Sequence, residues 1–421
     1  MATLANRLFD PENLAMSWTR EQRNVTVAAY LGWTLDAFDF FLMVFVLKDI
    51  AAEFNTKIPD VAFAITLTLA MRPLGALIFG RLADKFGRRP TLMINIACYS
   101  LLELLSGLSP NLMTLLILRA LFGIAMGGEW GVGSALTMET VPPKARGIVS
   151  GLLQAGYPSG YLLASIAFGV VYPLIGWRGM FFIGVAPALL VMYVRAHVPE
   201  SPAWRAMEKR PRPGLLATLK RNWTLSIYAI VLMTAFNFFS HGTQDLYPTF
   251  LREQHHFDPH TVSLITITLN IGAIIGGLLF GALSEKIGRR VTIFIAALIA
   301  LPVLYLWAFS TTPVMLALGA FLMQISVQGA WGVIPVHLNE ISPDEIRATF
   351  PGLVYQLGNL LAAVNATMQA SLAASHGNDY GMAMAIVAGV VAVVIAALIF
   401  FSRERRGIDM TRTAREAGAP G

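Results

Sequence analysis

Apolar runs of about the 20 residues that an α-helix needs to cross a bilayer recur along this chain. They fall near 25–47, 61–80, 91–108, 112–136, 148–170 and 176–195, then near 224–250, 261–282, 291–309, 313–337, 349–373 and 380–401. Charged residues gather between the runs, which predicts an all-α membrane protein with twelve transmembrane helices. The one long polar connection, 199–222, carries four prolines and divides the runs into six and six. The predicted organisation is an N-terminal tail (1–24), a six-helix bundle (25–198), a linker (199–222), a second six-helix bundle (223–402) and a C-terminal tail (403–421).

Composition agrees with the pattern. Of 421 residues, 56% are hydrophobic and 13% are charged, about half the charged share of a soluble domain. The single cysteine, Cys98, excludes a disulfide framework or thiolate cluster within one chain. The net charge of +6 is explained by placement and not by nucleic-acid binding. With both termini inside, 25 of the 31 Lys and Arg residues fall on cytoplasmic segments, the bias that sets membrane orientation. The segment before the first run has no apolar core, so it reads as a cytosolic tail and not as a cleavable signal. The expected location is a plasma membrane, such as the inner membrane of a bacterium.

The two halves repeat each other. A shift of 201 residues lays GRLADKFGRR (80–89) on GALSEKIGRR (281–290), and the same shift matches Trp130 to Trp331, Glu139 to Glu340, Pro142 to Pro343 and Arg146 to Arg347. Duplicated six-span halves are a transporter plan with the substrate site at their interface. The repeated GxLxDxxGRR loop resembles the signature of the major facilitator superfamily. That resemblance implies the major facilitator fold and a conformational latch, in which Asp84 and Glu285 contact basic groups such as Arg88 and Arg289 when the site faces outward. A purely topogenic basic cluster would account for the arginines alone.

Charges within spans cost about 2.5–3.5 kcal/mol at mid-bilayer, so each is a site hypothesis. Span one holds Asp36 and Asp39, span two Arg72, span three Glu103, span four Arg119 and Glu129, and span seven His241 and Asp245. Span seven reads NFFSHGTQDLYPT over 237–249. Asn237, Ser240, His241 and Gln244 share a wedge of about 100°, with Asp245 at its edge, so this stripe is expected to face a cavity. The segment resembles the span-seven signature of fungal lactate and pyruvate permeases, Asn-x-x-Ser/Thr-His-x-Ser/Thr-Gln-Asp-x-x-x-Thr, at all seven specified positions. It is similar in this to members of the sialate:proton symporter family, and the likeness implies proton-coupled uptake of an organic acid anion. Sialic acid carriers of that family have extra spans between the halves, so the short linker favours a monocarboxylate such as lactate or pyruvate.

Arg72 can hold a carboxylate through two parallel hydrogen bonds; the competing role is an ion pair with Asp36 or Asp39. His241, the one histidine expected well inside a span, titrates near neutrality and stands one turn from Asp245. It can bind substrate, carry a proton or simply pack. Asn237, Ser240, Gln244, Gln154 and Tyr355 add neutral partners for a carboxylate or hydroxyl, or else bond helix to helix. Asp36, Asp39, Asp245 and Glu129 are further candidates for the coupled proton. Under the 201 shift Asp36 and Asp39 match Asn237 and Ser240, so they are expected to oppose the span-seven stripe. Small-residue breaks in spans five (GYPSGY) and eleven (LGN) are expected to permit bending during gating.

No Walker loop, zinc-ligand spacing or nucleophile motif occurs, so no cofactor, metal or enzymatic activity is expected. A sialic acid, aromatic acid or dicarboxylate is the alternative cargo. A receptor on a transporter scaffold usually has a long cytosolic extension, against nineteen residues after Ser402. The expected partners are a small organic anion, a proton and the lipid bilayer, with the protein acting as a monomer.

Overall fold

A computed structural model describes residues 18–56, 58–207 and 215–408, so the first seventeen residues of the N-terminal tail, the middle of the linker and the end of the C-terminal tail lie outside the described residues. Among the described residues every regular element is a helix. Spans one to five are Arg20–Phe45, Ile58–Phe86, Arg88–Gly107, Leu112–Thr140 and Arg146–Val170; span six comprises Tyr172–Ile183 and Pro187–His197. Spans seven to ten are Trp223–Gln244, Pro259–Ile287, Arg289–Phe309 and Pro313–Ile341, span eleven comprises Thr349–Ala362 and Asn365–Ser375, and span twelve is Tyr380–Phe400. Ten stretches of these helices are long and apolar enough to cross a membrane. Large apolar side chains such as Leu101, Met113, Leu174, Val314 and Val390 stand exposed on the outer faces, as lipid contact requires.

Within the first half, span one packs on span five and span two on span four; in the second, span eight packs on span ten and span seven on span eleven. The halves meet where span two crosses span eleven and where span five crosses spans eight and ten. The seam is narrow because glycines line it. A Cβ on Gly151 would lie 2.3 Å from the Gly277 carbonyl oxygen, and one on Gly131 would lie 3.0 Å from the Gly352 Cα.

In this state the small-residue stretches of spans five and eleven serve packing. Span five is one continuous helix through Pro158, and its glycines serve close packing: a Cβ on Gly160 would lie 2.2 Å from the Thr34 carbonyl oxygen of span one. Span eleven does break, but after Ala362. Gly358 instead lets it approach the span-seven backbone, where a Cβ would lie 2.6 Å from the Met233 carbonyl carbon. Span ten runs on to Ile341, so His337 is a second histidine buried inside a span, contrary to the expectation that His241 stood alone.

Candidate functional site

Arg72 stands midway along span two, followed by Pro73 inside the helix. Its side chain is buried at the seam, with the guanidinium over the Phe40 ring at 5.2 Å and Nη2 2.7 Å from Met126 Sδ. Nε has no hydrogen-bond partner, and among the described residues no carboxylate forms an ion pair with this arginine. Its charge acts on Asp36 and Tyr157 of the first half and on Tyr355 and His241 of the second. Arg72 and His241 thus belong to one electrostatic neighbourhood spanning both halves.

The span-seven stripe is built as a hydrogen-bonded strip with spans ten and eleven. Asn237 donates to the Met233 carbonyl at 2.8 Å and lies 3.5 Å from the Tyr355 carbonyl. Gln244 donates to Gln324 Oε1 (2.9 Å) and Ser240 Oγ (3.3 Å), and Gln328 also reaches Ser240 Oγ (3.4 Å). His241 Nδ1 stands 3.2 Å from Asp245 Oδ2, while its Nε2 stands 3.2 Å from Asn359 Oδ1. His241 and Asp245 border a cavity of about 230 Å³ that is also lined by Thr66, Leu69 and Ala70 of span two. Their side chains are 33% and 42% exposed, so this end of the seam is open. Deeper in, Tyr355 lies between Trp130 and Trp331, tilted at 48° to the first ring (centroids 4.9 Å apart) and edge-on at 77° to the second (5.5 Å). Gln154 is buried in span five with its Oε1 unbonded.

Asp36, Asp39, Glu103 and Glu129 are buried within the spans of the first half. Glu129 lies against Gly32, one turn before Asp36; a Cβ at Gly32 would fall 2.4 Å from Glu129 Oε1, so only glycine leaves the carboxyl this place. Asp36 in turn lies within the field of Arg72 and its own charge acts on Glu129. Asp39, expected to oppose the span-seven stripe, turns instead into the first half. The 60° that separates it from Asp36 carries it past the seam, where Gly184 of the span-six segment lies close to both its Oδ1 and the Glu103 side chain. Glu103 pairs with Arg119 at 2.5 Å, and Arg119 covers the Phe122 ring at 3.9 Å. The sequence did not mark them as a pair, because they stand on different spans, where helical spacing carries no signal. Asp36, Asp39, Glu103 and Glu129 outnumber Arg72 and Arg119 by two, and neither aspartate has a hydrogen-bond partner among the described residues.

At the opposite, arginine-rich end the seam is shut by a layer that obeys the 201 shift. Asp84 accepts from the backbone N–H groups of Ala348 (3.1 Å) and Thr349 (3.2 Å) and from the Thr349 hydroxyl. Glu285 accepts from the N–H of Gly147, the repeat equivalent of Ala348. Each carboxylate therefore sits at the N-terminus of a helix in the other half, where exposed N–H groups and the helix dipole favour a negative charge. Arg88 binds Asp84 (3.2 Å) and Glu139 (3.0 Å), while Arg289 binds Glu285 (3.0 Å) and Glu340 (3.1 Å). Two weaker pairs cross over: Arg146 to Glu340 and Arg347 to Glu139, both at 4.0 Å. Glu139, Glu340, Arg146 and Arg347 were visible in the sequence as repeat matches without a role. The linker residues gave no such signal: Glu200 accepts from the Arg88 N–H (3.0 Å), Ser201 donates to Glu139, and Trp204 Nε1 donates to the Asp84 carbonyl (2.9 Å).

Two pseudo-symmetric six-helix bundles, closed at one end of their seam and open at the other around buried charges, define an integral membrane transporter. The model of the Major Facilitator Superfamily matches residues 29–246 and 232–420, and the chain belongs to that superfamily. It is 31% identical to the carboxylic acid transporter protein homolog of Saccharomyces cerevisiae over 85% of this chain and 62% of that protein, so it spans less than two thirds of the yeast protein's length. It is 28% identical to the sialic acid transporter NanX of Escherichia coli over 82% of this chain and 87% of that one. Among solved structures, the proton:xylose symporter XylE superposes with a TM-score of 0.78 at 18% identity, covering 94% of this chain and 98% of its own. This last likeness establishes the fold alone.

Proposed function

We propose that this protein takes up a small monocarboxylate, such as lactate or pyruvate, together with a proton by alternating access. The observation that carries the reading is Arg72, a buried guanidinium at the seam with no carboxylate in ion-pair contact among the described residues. An unpaired buried charge is costly, and a substrate carboxylate bound in two parallel hydrogen bonds offsets that cost. The names of the yeast and E. coli relatives, a carboxylic acid transporter homolog and a sialic acid transporter, support an organic acid as cargo. His241, Asn237, Ser240, Gln244, Gln154 and Tyr355 contact the remainder of the substrate in this reading.

Coupling follows from charge. The substrate competes with Asp36 for the Arg72 field; once it holds the guanidinium, Asp36 and its neighbour Glu129 retain a proton instead. Asp39, and the His241–Asp245 pair nearer the open end, are the other groups placed to pass that proton. The loaded carrier then reorients without exposing a naked charge to lipid. The arginine-rich end is the cytoplasmic one by its charge bias. Asp84, Arg88, Glu285 and Arg289 hold it closed while the site faces outward, and both termini lie inside, in a bacterial inner membrane. A single chain contains the whole pathway, so the transporter works as a monomer.

Uptake of labelled lactate into proteoliposomes under an inward proton gradient tests this reading. Accumulation that collapses with a protonophore is expected, and uptake indifferent to the gradient would refute coupling. The aromatic rings of Trp130, Trp331 and Tyr355 favour a second reading, a larger or aromatic acid. Stronger competition by such acids than by pyruvate would select it.

A further inference from the structure

A second cavity, of about 630 Å³, opens at the arginine-rich end of the second half, between the start of span nine and the end of span twelve. Its two sides differ in chemistry. Lys286, Arg290 and Arg406 supply three cations against one carboxylate, Glu404. That carboxylate is already engaged, accepting from the backbone N–H groups of Arg290 (3.0 Å) and Arg406 (3.2 Å). Backbone carbonyls hold both guanidinium groups: Arg290 Nε donates to Ile399 (3.1 Å), and Arg406 Nη1 donates to Glu285 (3.1 Å) and Lys286 (2.9 Å). Carbonyl partners orient a guanidinium without neutralising it, so Arg290 and Arg406 keep their positive charge at the rim. The other wall is apolar and exposed: Val291 is 48% and Phe400 60% accessible, and Phe294 lies beside Phe400 at 6.1 Å between ring centroids.

The repeat shows how the first half builds the same place. At the equivalent place in the first half the linker folds back, with Glu200 on the start of span three and Trp204 buried beside Asp84. In the second half Glu404 repeats the first contact on span nine, and Arg406, donating to the Glu285 carbonyl, stands where Trp204 meets the Asp84 carbonyl, so a cation replaces the ring.

We propose that this cavity binds an anionic phospholipid of the adjoining leaflet, its phosphate against Lys286, Arg290 and Arg406 and one acyl chain along Val291, Phe294 and Phe400. Basic pockets between helices at this membrane depth suit acidic headgroups, and the exposed apolar wall continues into the hydrocarbon.

Native mass spectrometry of the full chain in neutral detergent tests it, with phosphatidylglycerol, phosphatidylcholine and water-soluble glycerol phosphate as probes. Phosphatidylglycerol adducts should persist at collision energies that strip phosphatidylcholine, and glycerol phosphate should bind at least tenfold more weakly. Lys286→Gln, at an exposed position that leaves folding intact, should weaken phosphatidylglycerol binding about fivefold, and Lys286→Gln with Arg406→Gln about 25-fold. Equal retention of the two lipids would overturn the proposal. Glycerol phosphate matching the lipid would overturn it in favour of a free-phosphate site, and undiminished binding by Lys286→Gln would place the lipid elsewhere. Phosphatidylglycerol that binds only after the chain is cut at Ile408 would identify the chain's own tail as the natural occupant and overturn it as well.

Discussion

Buried at the seam with Phe40 against its face, Arg72 offers a planar pair of donors that lysine cannot reproduce. Arg72→Lys keeps the charge and loses the fork, so the apparent KM for the transported acid should rise about tenfold while protein folding, followed by thermal unfolding, stays unchanged. An unaltered KM would separate Arg72 from the substrate. Asp36→Asn should leave the carrier able to exchange substrate across the membrane but unable to concentrate it against a proton gradient. A variant that still accumulates substrate would move the proton to another carboxylate. Outside the spans, Glu53 accepts from Arg178 (2.7 Å) and from Trp177 Nε1 (2.6 Å), and the Arg178 hydrogen bond holds its carboxyl below the ordinary 4.5. A depressed carboxylate contributes its stability above its unfolded pKa and loses it as the pH falls through the folded one. Arg178→Gln should therefore unfold at a lower temperature than the native chain at pH 7, with the gap closing as the pH falls below the ordinary carboxylate range. Both side chains are a third or more exposed, so the gap corresponds to roughly 0.2–1 kcal/mol, and a gap constant with pH would discount the pair.

Between spans two and three, and again between spans eight and nine, the chain turns on a glycine with positive φ: Gly87 at 114° and Gly288 at 95°. At Gly87 a Cβ would also lie 2.3 Å from Glu200 Oε2, so Gly87→Ala should displace the linker carboxylate and cost about 1–3 kcal/mol. Gly133→Ala is the matched control, since its Cβ would meet nothing nearer than 3.6 Å; equal midpoints for the two in chemical unfolding would contradict the account. The GRR loops were legible because a repeat displays the same backbone need twice. The spans were legible for a similar reason, since lipid imposes one length and one polarity on every helix. The linker's contacts were not: nothing in PESPAW says that Glu200 caps span three or that Trp204 bonds the Asp84 carbonyl. Periodicity also placed Asp39 on the stripe-facing side with Asp36, and a 60° turn was enough to send it to Glu103 and Arg119 instead. The stripe on span seven was readable because its polar residues lie on one helix. Its bonds to Gln324, Gln328 and Asn359 join residues 80 or more positions apart, a distance that only packing closes.

Across the whole molecule, closure at the arginine-rich end depends on contacts that each half lends to the other. Asp84 and Glu285 occupy helix N-termini of the opposite half, and the crossed pairs Arg146–Glu340 and Arg347–Glu139 relate the two sides by the same exchange. None of these contacts can survive if the halves rock apart at this end, whereas the pairs Arg88–Glu139 and Arg289–Glu340 lie within one half and can. Removing the crossing arginines should consequently shift the equilibrium toward the state open at the arginine-rich end without unfolding either bundle. Ser150 provides the reporter, because its hydroxyl is buried in the seam and accepts from the Val336 N–H across it at 3.1 Å. In a Cys98→Ser background, Ser150→Cys should react slowly with a membrane-impermeant thiol reagent applied from that side. Adding Arg146→Gln and Arg347→Gln should speed labelling about tenfold, the response to a shift of about 1.4 kcal/mol in a two-state balance. Disrupting Arg88–Glu139 by Glu139→Gln alone should accelerate it less, since Glu139 loses one crossing contact and Glu340 keeps the other. Labelling that stays slow in the double variant would mean that the glycine-lined packing of span five on span eight, and not the exchanged charges, keeps this end shut.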